Sequence, residues 1–150
     1  MGKEKPGFIV KFYDKPYEDK TVEELVKAPV SAISGISESD ALVLKATFRI
    51  GTVEDLATNK YVKLAQGINS LSECSVQILD KTFGSKVYED LAKKPLSAIT
   101  EISENEAALL KRIFGIDTIK EMAENKYVLI AQTTVAMALM LQFLRKTGIV

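Results

Sequence analysis

The chain is written twice. With the numbering shifted by 66, residues 10–66 fall onto residues 76–132 without a gap, and roughly half of the aligned positions are identical. Pro29-Val30-Ser31-Ala32-Ile33 becomes Pro95-Leu96-Ser97-Ala98-Ile99. Asn59-Lys60-Tyr61-Val62 becomes Asn125-Lys126-Tyr127-Val128. A fixed period constrains the fold more than any single motif, because one supersecondary unit must serve twice. Each copy alone is marginal in size and carries no visible staple, so the two are expected to share a core. The expected organisation is an N-terminal arm at residues 1–9, a first unit at 10–75 and a second at 76–150, packed as one body.

Apolar residues recur at helical spacing throughout, which predicts an all-α fold. Only Phe8 to Tyr13 could form a short extended arm. The first helix of each copy carries Val22, Leu25 and Val26, or Tyr88, Leu91 and Ala92, and ends at Pro29 or Pro95. Thr21 with Glu24 reads as a capping box. Ser37 and Ser103 read as N-caps of a second helix, with Asp40 and Glu106 three residues on. Its buried stripe is Ala41, Leu44 and Phe48, or Ala107, Leu110 and Phe114. Thr52 with Asp55, and Thr118 with Glu121, start a third helix. Asn59 and Asn125 stand where a left-handed C-terminal cap is expected. A longer fourth helix begins at Tyr61 or Tyr127, and its Gln66 or Gln132 suits an amide bonded to a loop backbone. Gln142–Thr147 resembles Gln77–Thr82, so each fourth helix runs towards the start of a further unit.

Formal net charge is zero, so no electrostatic excess calls for nucleic acid or an anionic membrane. The absence of histidine removes Ser-His-Asp and Cys-His catalysis and histidine metal sites. Cys74 has no second cysteine to pair with, which suits a reducing cytoplasm, and it reads as a small apolar filler. Gly35, Gly51, Gly67 and Gly84 stand singly, so no phosphate loop is present. The carboxylates fall in helix first turns, where capping accounts for them. No catalytic role, metal or cofactor is expected. The charged start, Met1 to Pro6, does not read as a secretory signal.

Ala32-Ile33-Ser34-Gly35-Ile36-Ser37, the Ala41/Leu44/Phe48 helix and Ile50-Gly51-Thr52-Val53-Glu54-Asp55-Leu56 together resemble the helix-hairpin-helix family. The resemblance covers most of both copies and implies two such units in tandem. It also implies sequence-independent DNA binding, with hairpin and helix N-terminal N–H groups holding a phosphate. Carried onto this chain, that site comprises Gly35, Ile36 and Ser37 with Lys45, Arg49 and Lys60. The chain departs from the family pattern: Ser37 replaces the usual second glycine, and Glu101 replaces Gly35 in the second copy. Glu38, Asp40, Glu104 and Glu106 would repel a phosphate there. Such a departure implies a structural or protein-contacting module, with weak DNA binding as the alternative.

Tyr127 to Leu144 carries no charge and approaches the length of a membrane span. The aligned helix carries Lys63, Glu73 and Asp80, which argues for water around both and against a membrane. The C-terminal helix is either the centre of the core or a contact for a protein partner or a second copy. Its candidate contact residues are Met137, Met140, Leu141, Phe143 and Leu144.

Overall fold

The computed structural model describes residues 7–78 and 85–149. Residues 1–6, most of the expected arm, and 79–84, which include Leu79–Thr82 and Gly84, lie outside the described residues. The described chain is all-α. It contains no strand, only isolated bridges such as Tyr13 with Ile33 and Pro29 with Thr52.

Among the described residues, eight α-helices follow in order: α1 Val22–Val26, α2 Glu38–Phe48, α3 Val53–Ala57, α4 Lys60–Ile78, α5 Ser85–Ala92, α6 Glu104–Phe114, α7 Ile119–Ala123 and α8 Lys126–Lys146. Short 3-10 turns precede α1 and bridge α1 to α2 and α5 to α6. Local chemistry sets the starts. Thr21 and Glu24 exchange bonds at α1, Thr52 and Asp55 at α3, Ser103 and Glu106 at α6, and Thr118 and Glu121 at α7. Ser37 accepts the Asp40 N–H at α2. Each pair satisfies donors that a helix start leaves without partners.

The expected left-handed cap at Asn59 and Asn125 is not formed. Neither residue has positive φ. Instead, Asn59 Oδ1 accepts from the Tyr61 and Val62 N–H groups at 2.9 and 3.3 Å, and Asn125 Oδ1 accepts from Tyr127 and Val128 at 3.0 and 3.3 Å. Both are N-caps. The preceding helices end at Ala57 and Ala123, with Thr58 and Glu124 as their C-caps, so each asparagine serves only to open the next helix. The left-handed C-caps sit after α2 and α6, at Arg49 (φ 59°) and Gly115 (φ 72°).

The chain divides into two compact units that follow the aligned copies only in part. Unit 1 holds residues 1–58 with 129–150, and unit 2 holds residues 59–128. Each unit therefore joins the short helices of one copy to the long helix of the other. In unit 1, Val22 and Val26 of α1 bury against Ala138 of α8, with Val135, Met137 and Leu141 packed around them. Gln132 Nε2 donates to the Ala57 carbonyl at 3.3 Å, and Arg145 pairs with Glu23 at 2.8 Å. In unit 2, α4 lies against α5 and α7, and Gln66 Nε2 donates to the Ala123 carbonyl at 3.2 Å. The two glutamines occupy aligned positions, and each amide serves a helix-end carbonyl within its own unit.

Leu25, Val30, Ile33, Leu44, Val53 and Leu56 centre the core of unit 1, and Leu96, Leu110 and Ile119 that of unit 2. Each contributes about 1.5–3 kcal/mol on burial. Cys74 lies in α4 and is exposed, so it fills no apolar gap.

Candidate functional surfaces

The candidate hairpin residues differ in burial and in hydrogen bonding. Gly35 has φ 104°, a conformation that favours glycine. Ile36 is buried at 4% exposure and turns inward. The Ser37 side chain is occupied by the Asp40 N–H at 3.1 Å. Lys45 lines a shallow depression together with Glu38 and Asp55, so its charge has acidic neighbours. Arg49 is exposed and holds the left-handed cap of α2. Lys60 belongs to unit 2 and the other five to unit 1.

Lys60 Nζ lies 2.6 Å from Glu101 Oε2, and the Tyr61 hydroxyl donates to the same oxygen at 3.0 Å. The Lys60 hydrogen bond holds the Glu101 carboxyl below the usual carboxylate range, with Tyr61 acting the same way. Glu101 in turn raises Lys60. Burial raises the Tyr61 phenol, and Glu101 adds to that shift. This trio stands at the mouth of an apolar cavity of about 410 Å³ whose wall includes Leu64, Ile68, Leu91, Ala98, Ile99 and Ile119. Sequence reading missed this cavity, because its apolar lining residues look like ordinary core. The available signal was a substitution between copies: Ile68 aligns with polar Thr134.

The C-terminal helix is both core and surface. Within unit 1, Ala131, Thr134 and Ala138 are buried, and Met137, Leu141 and Leu144 are partly buried. Met140 and Phe143 remain 63% and 61% exposed, and Leu129 and Leu139 are exposed with them. Leu129, Thr133, Ala136, Met140 and Phe143 are all exposed and recur at intervals of four, three, four and three. That spacing forms a seam along one helix face. Of the candidate contact residues, Met140 and Phe143 lie on this seam, whereas Met137 and Leu141 pack towards α1.

The stretch Ile119–Lys146 is long and apolar enough to cross a membrane by composition. Its C-terminal part gives one face to unit 1, with Thr134 fully buried there and Arg145 paired to Glu23. No cluster of potential metal-binding side chains occurs among the described residues. No protein-family profile, curated protein or solved structure matches the chain.

Proposed function

We propose that the chain is a pair of helix-hairpin-helix-like units acting as a non-catalytic protein-interaction module. The observation that carries this reading is the exposed seam of α8, Leu129 to Phe143, on a helix whose opposite face is already buried in unit 1. Met140 and Phe143 offer a large apolar area at the spacing a second helix needs, and methionine adapts its shape to a partner. A contiguous apolar patch of this kind is a contact surface by default. The simplest partner is a second copy, joined through the same face.

Sedimentation velocity from low micromolar to submillimolar concentration tests it. The wild-type chain is expected to self-associate reversibly, and Met140→Glu with Phe143→Glu to remain monomeric with an unchanged helical spectrum. A wild-type chain that stays monomeric throughout, or a double variant that associates equally well, refutes self-association through α8. The competing reading is weak DNA binding through the Gly35 hairpin. Anisotropy with labelled duplex at low salt separates the two, since phosphate contacts give saturable, steeply salt-dependent binding.

A further inference from the structure

Building on the reading of a protein-contacting chain, we infer that the depression of unit 1 lined by Lys27, Leu42 and Lys45 docks a short acidic peptide segment of a partner protein. The segment carries an apolar residue with carboxylates near it. None of the residues involved belongs to the α8 seam.

The depression holds about 640 Å³, with Pro29, Ala41, Leu42 and Gly51 among its lining residues and two lysines, Lys27 and Lys45, beside them. Three differences between the copies meet there. Lys27 and Lys45 align with Lys93 and Lys111. In unit 2 both aligned lysines are neutralised within the chain: Lys93 pairs with Glu89 at 3.5 Å, and Lys111 with Asp117 at 3.3 Å. In unit 1 neither pairing survives. Glu23 aligns with Glu89, but its Oε2 is taken by Arg145 at 2.8 Å. Gly51 aligns with Asp117 and has no carboxylate to give. Among the described residues no ion pair involves Lys27 or Lys45. The third difference is apolar: Leu42, 70% exposed, stands where the second copy has Ala108.

Unit 2 therefore supplies the template for the missing group. Asp117 shows a carboxylate reaching the aligned lysine from the position that Gly51 holds. A Cβ placed on Gly51 would lie 3.7 Å from Lys45 Cδ, so the Lys45 stem already runs past that point. Asp55 does not take over the task, because its Oδ2 accepts the Gly51 and Thr52 N–H groups, each at 3.0 Å. A carboxylate arriving from outside completes the pair that unit 2 makes within itself.

The lining also sets the occupant's chemistry. Two uncompensated cations and an exposed leucine in one depression match acidic groups around an apolar side chain. Glu38 shares the lining and repels a continuous run of phosphates, so separate carboxylates suit the surface better than nucleic acid does. Exposed ion pairs contribute little singly. The Leu42 contact supplies most of the affinity, and the lysines supply the preference for acid.

The test is an anisotropy titration of the full chain against the labelled peptide Asp-Ser-Leu-Ser-Asp, in which residues two apart share a face when extended. Saturable binding is expected with a dissociation constant on the order of 0.1–1 mM, weakening with added salt. Asparagine in place of both aspartates, or serine in place of the leucine, should weaken it about fivefold. Gly51→Asp installs the carboxylate of the second copy beside Lys45 and should weaken binding about 3–10-fold. Lys27→Met with Lys45→Met should do the same with position 51 untouched. Leu42→Ala, at an exposed position, should cost about fivefold. The Met140→Glu/Phe143→Glu chain should bind the peptide normally, so failure of this site and failure of α8 self-association are read separately. Absence of saturation overturns the proposal. Equal affinity for the asparagine peptide, or indifference to Gly51→Asp, to Leu42→Ala or to loss of the two lysines, does so too. Salt-sensitive binding of a labelled duplex that Gly51→Asp abolishes also overturns it, because the lysines would then serve phosphate.

Discussion

The Tyr13 hydroxyl donates to Thr134 Oγ1 across 121 positions of sequence. The direction follows from the second bond: Thr134 gives its single proton to the Ile130 carbonyl at 2.8 Å, so only Tyr13 can be the donor. Burial pushes the Tyr13 phenol above its ordinary value. Tyr13→Phe is expected to cost about 1 kcal/mol at neutral pH, because Thr134 loses a partner. The sign of the alkaline effect is set by the raised value. Stability from a phenol held neutral is fully present below the unfolded value near 10 and is lost as pH rises through the folded one. Urea titrations at neutral pH and above about pH 10 should show a smaller alkaline loss in Tyr13→Phe than in wild type. Parallel losses would mean that the ring is not held as described.

Asn59 and Asn125 cap the two long helices alike but are not equally committed. Asn125 is buried, and its Nδ2 also donates to the Phe114 carbonyl at 3.2 Å. Asn59→Ala is expected to cost about 1 kcal/mol, the usual value of an N-cap. Asn125→Ala should cost about 2–3 kcal/mol, since it also strands a buried carbonyl. Chemical denaturation of the two variants checks the order. Equal costs would assign no weight to the Phe114 bond.

Arg49 and Gly115 hold the same left-handed cap with different residues. A side chain in that conformation costs about 1–2 kcal/mol, partly balanced by the greater freedom glycine has when unfolded. Arg49→Gly should therefore stabilise the chain by about 0.5–1 kcal/mol. Gly115→Ala should destabilise it by a similar amount, and through the backbone alone, because an added Cβ meets nothing within 4 Å. Thermal melts of both variants test the pair. A destabilising Arg49→Gly would show that the arginine side chain makes a contact worth more than the backbone strain.

What could be read from the sequence was what is local. The helix starts at Thr21, Thr52, Ser103 and Thr118 depend on residues three apart, so their bonds were legible. The glutamine-to-backbone bonds were legible in kind, since an amide in apolar surroundings needs a partner. Asn59 was misread because asparagine suits both a left-handed C-cap and an N-cap, and only the backbone angles decide. The grouping of α8 with residues 1–58 was anticipated only as a choice between the core and a partner contact. An apolar face advertises that it must be covered, and its periodicity does not say by what.

Glu121 offers the clearest acid-side test. Its Oε1 accepts the Asp117 N–H at 2.8 Å and the Thr118 N–H at 3.0 Å, while Thr118 Oγ1 accepts the Glu121 N–H at 3.1 Å. The backbone bond from Asp117, then that from Thr118, holds the Glu121 carboxyl below its ordinary value. A lowered value means that the stabilisation is complete above the unfolded value near 4.3 and disappears as pH falls through the folded one. Glu121→Gln keeps an acceptor oxygen but removes the charge that the start of α7 favours. The variant should be less stable than wild type at pH 7, and the two should converge as the pH falls towards about 3. Urea midpoints at three pH values across that range measure it. If the gap between wild type and variant does not narrow with acid, the ionised cap is not what stabilises the start of α7.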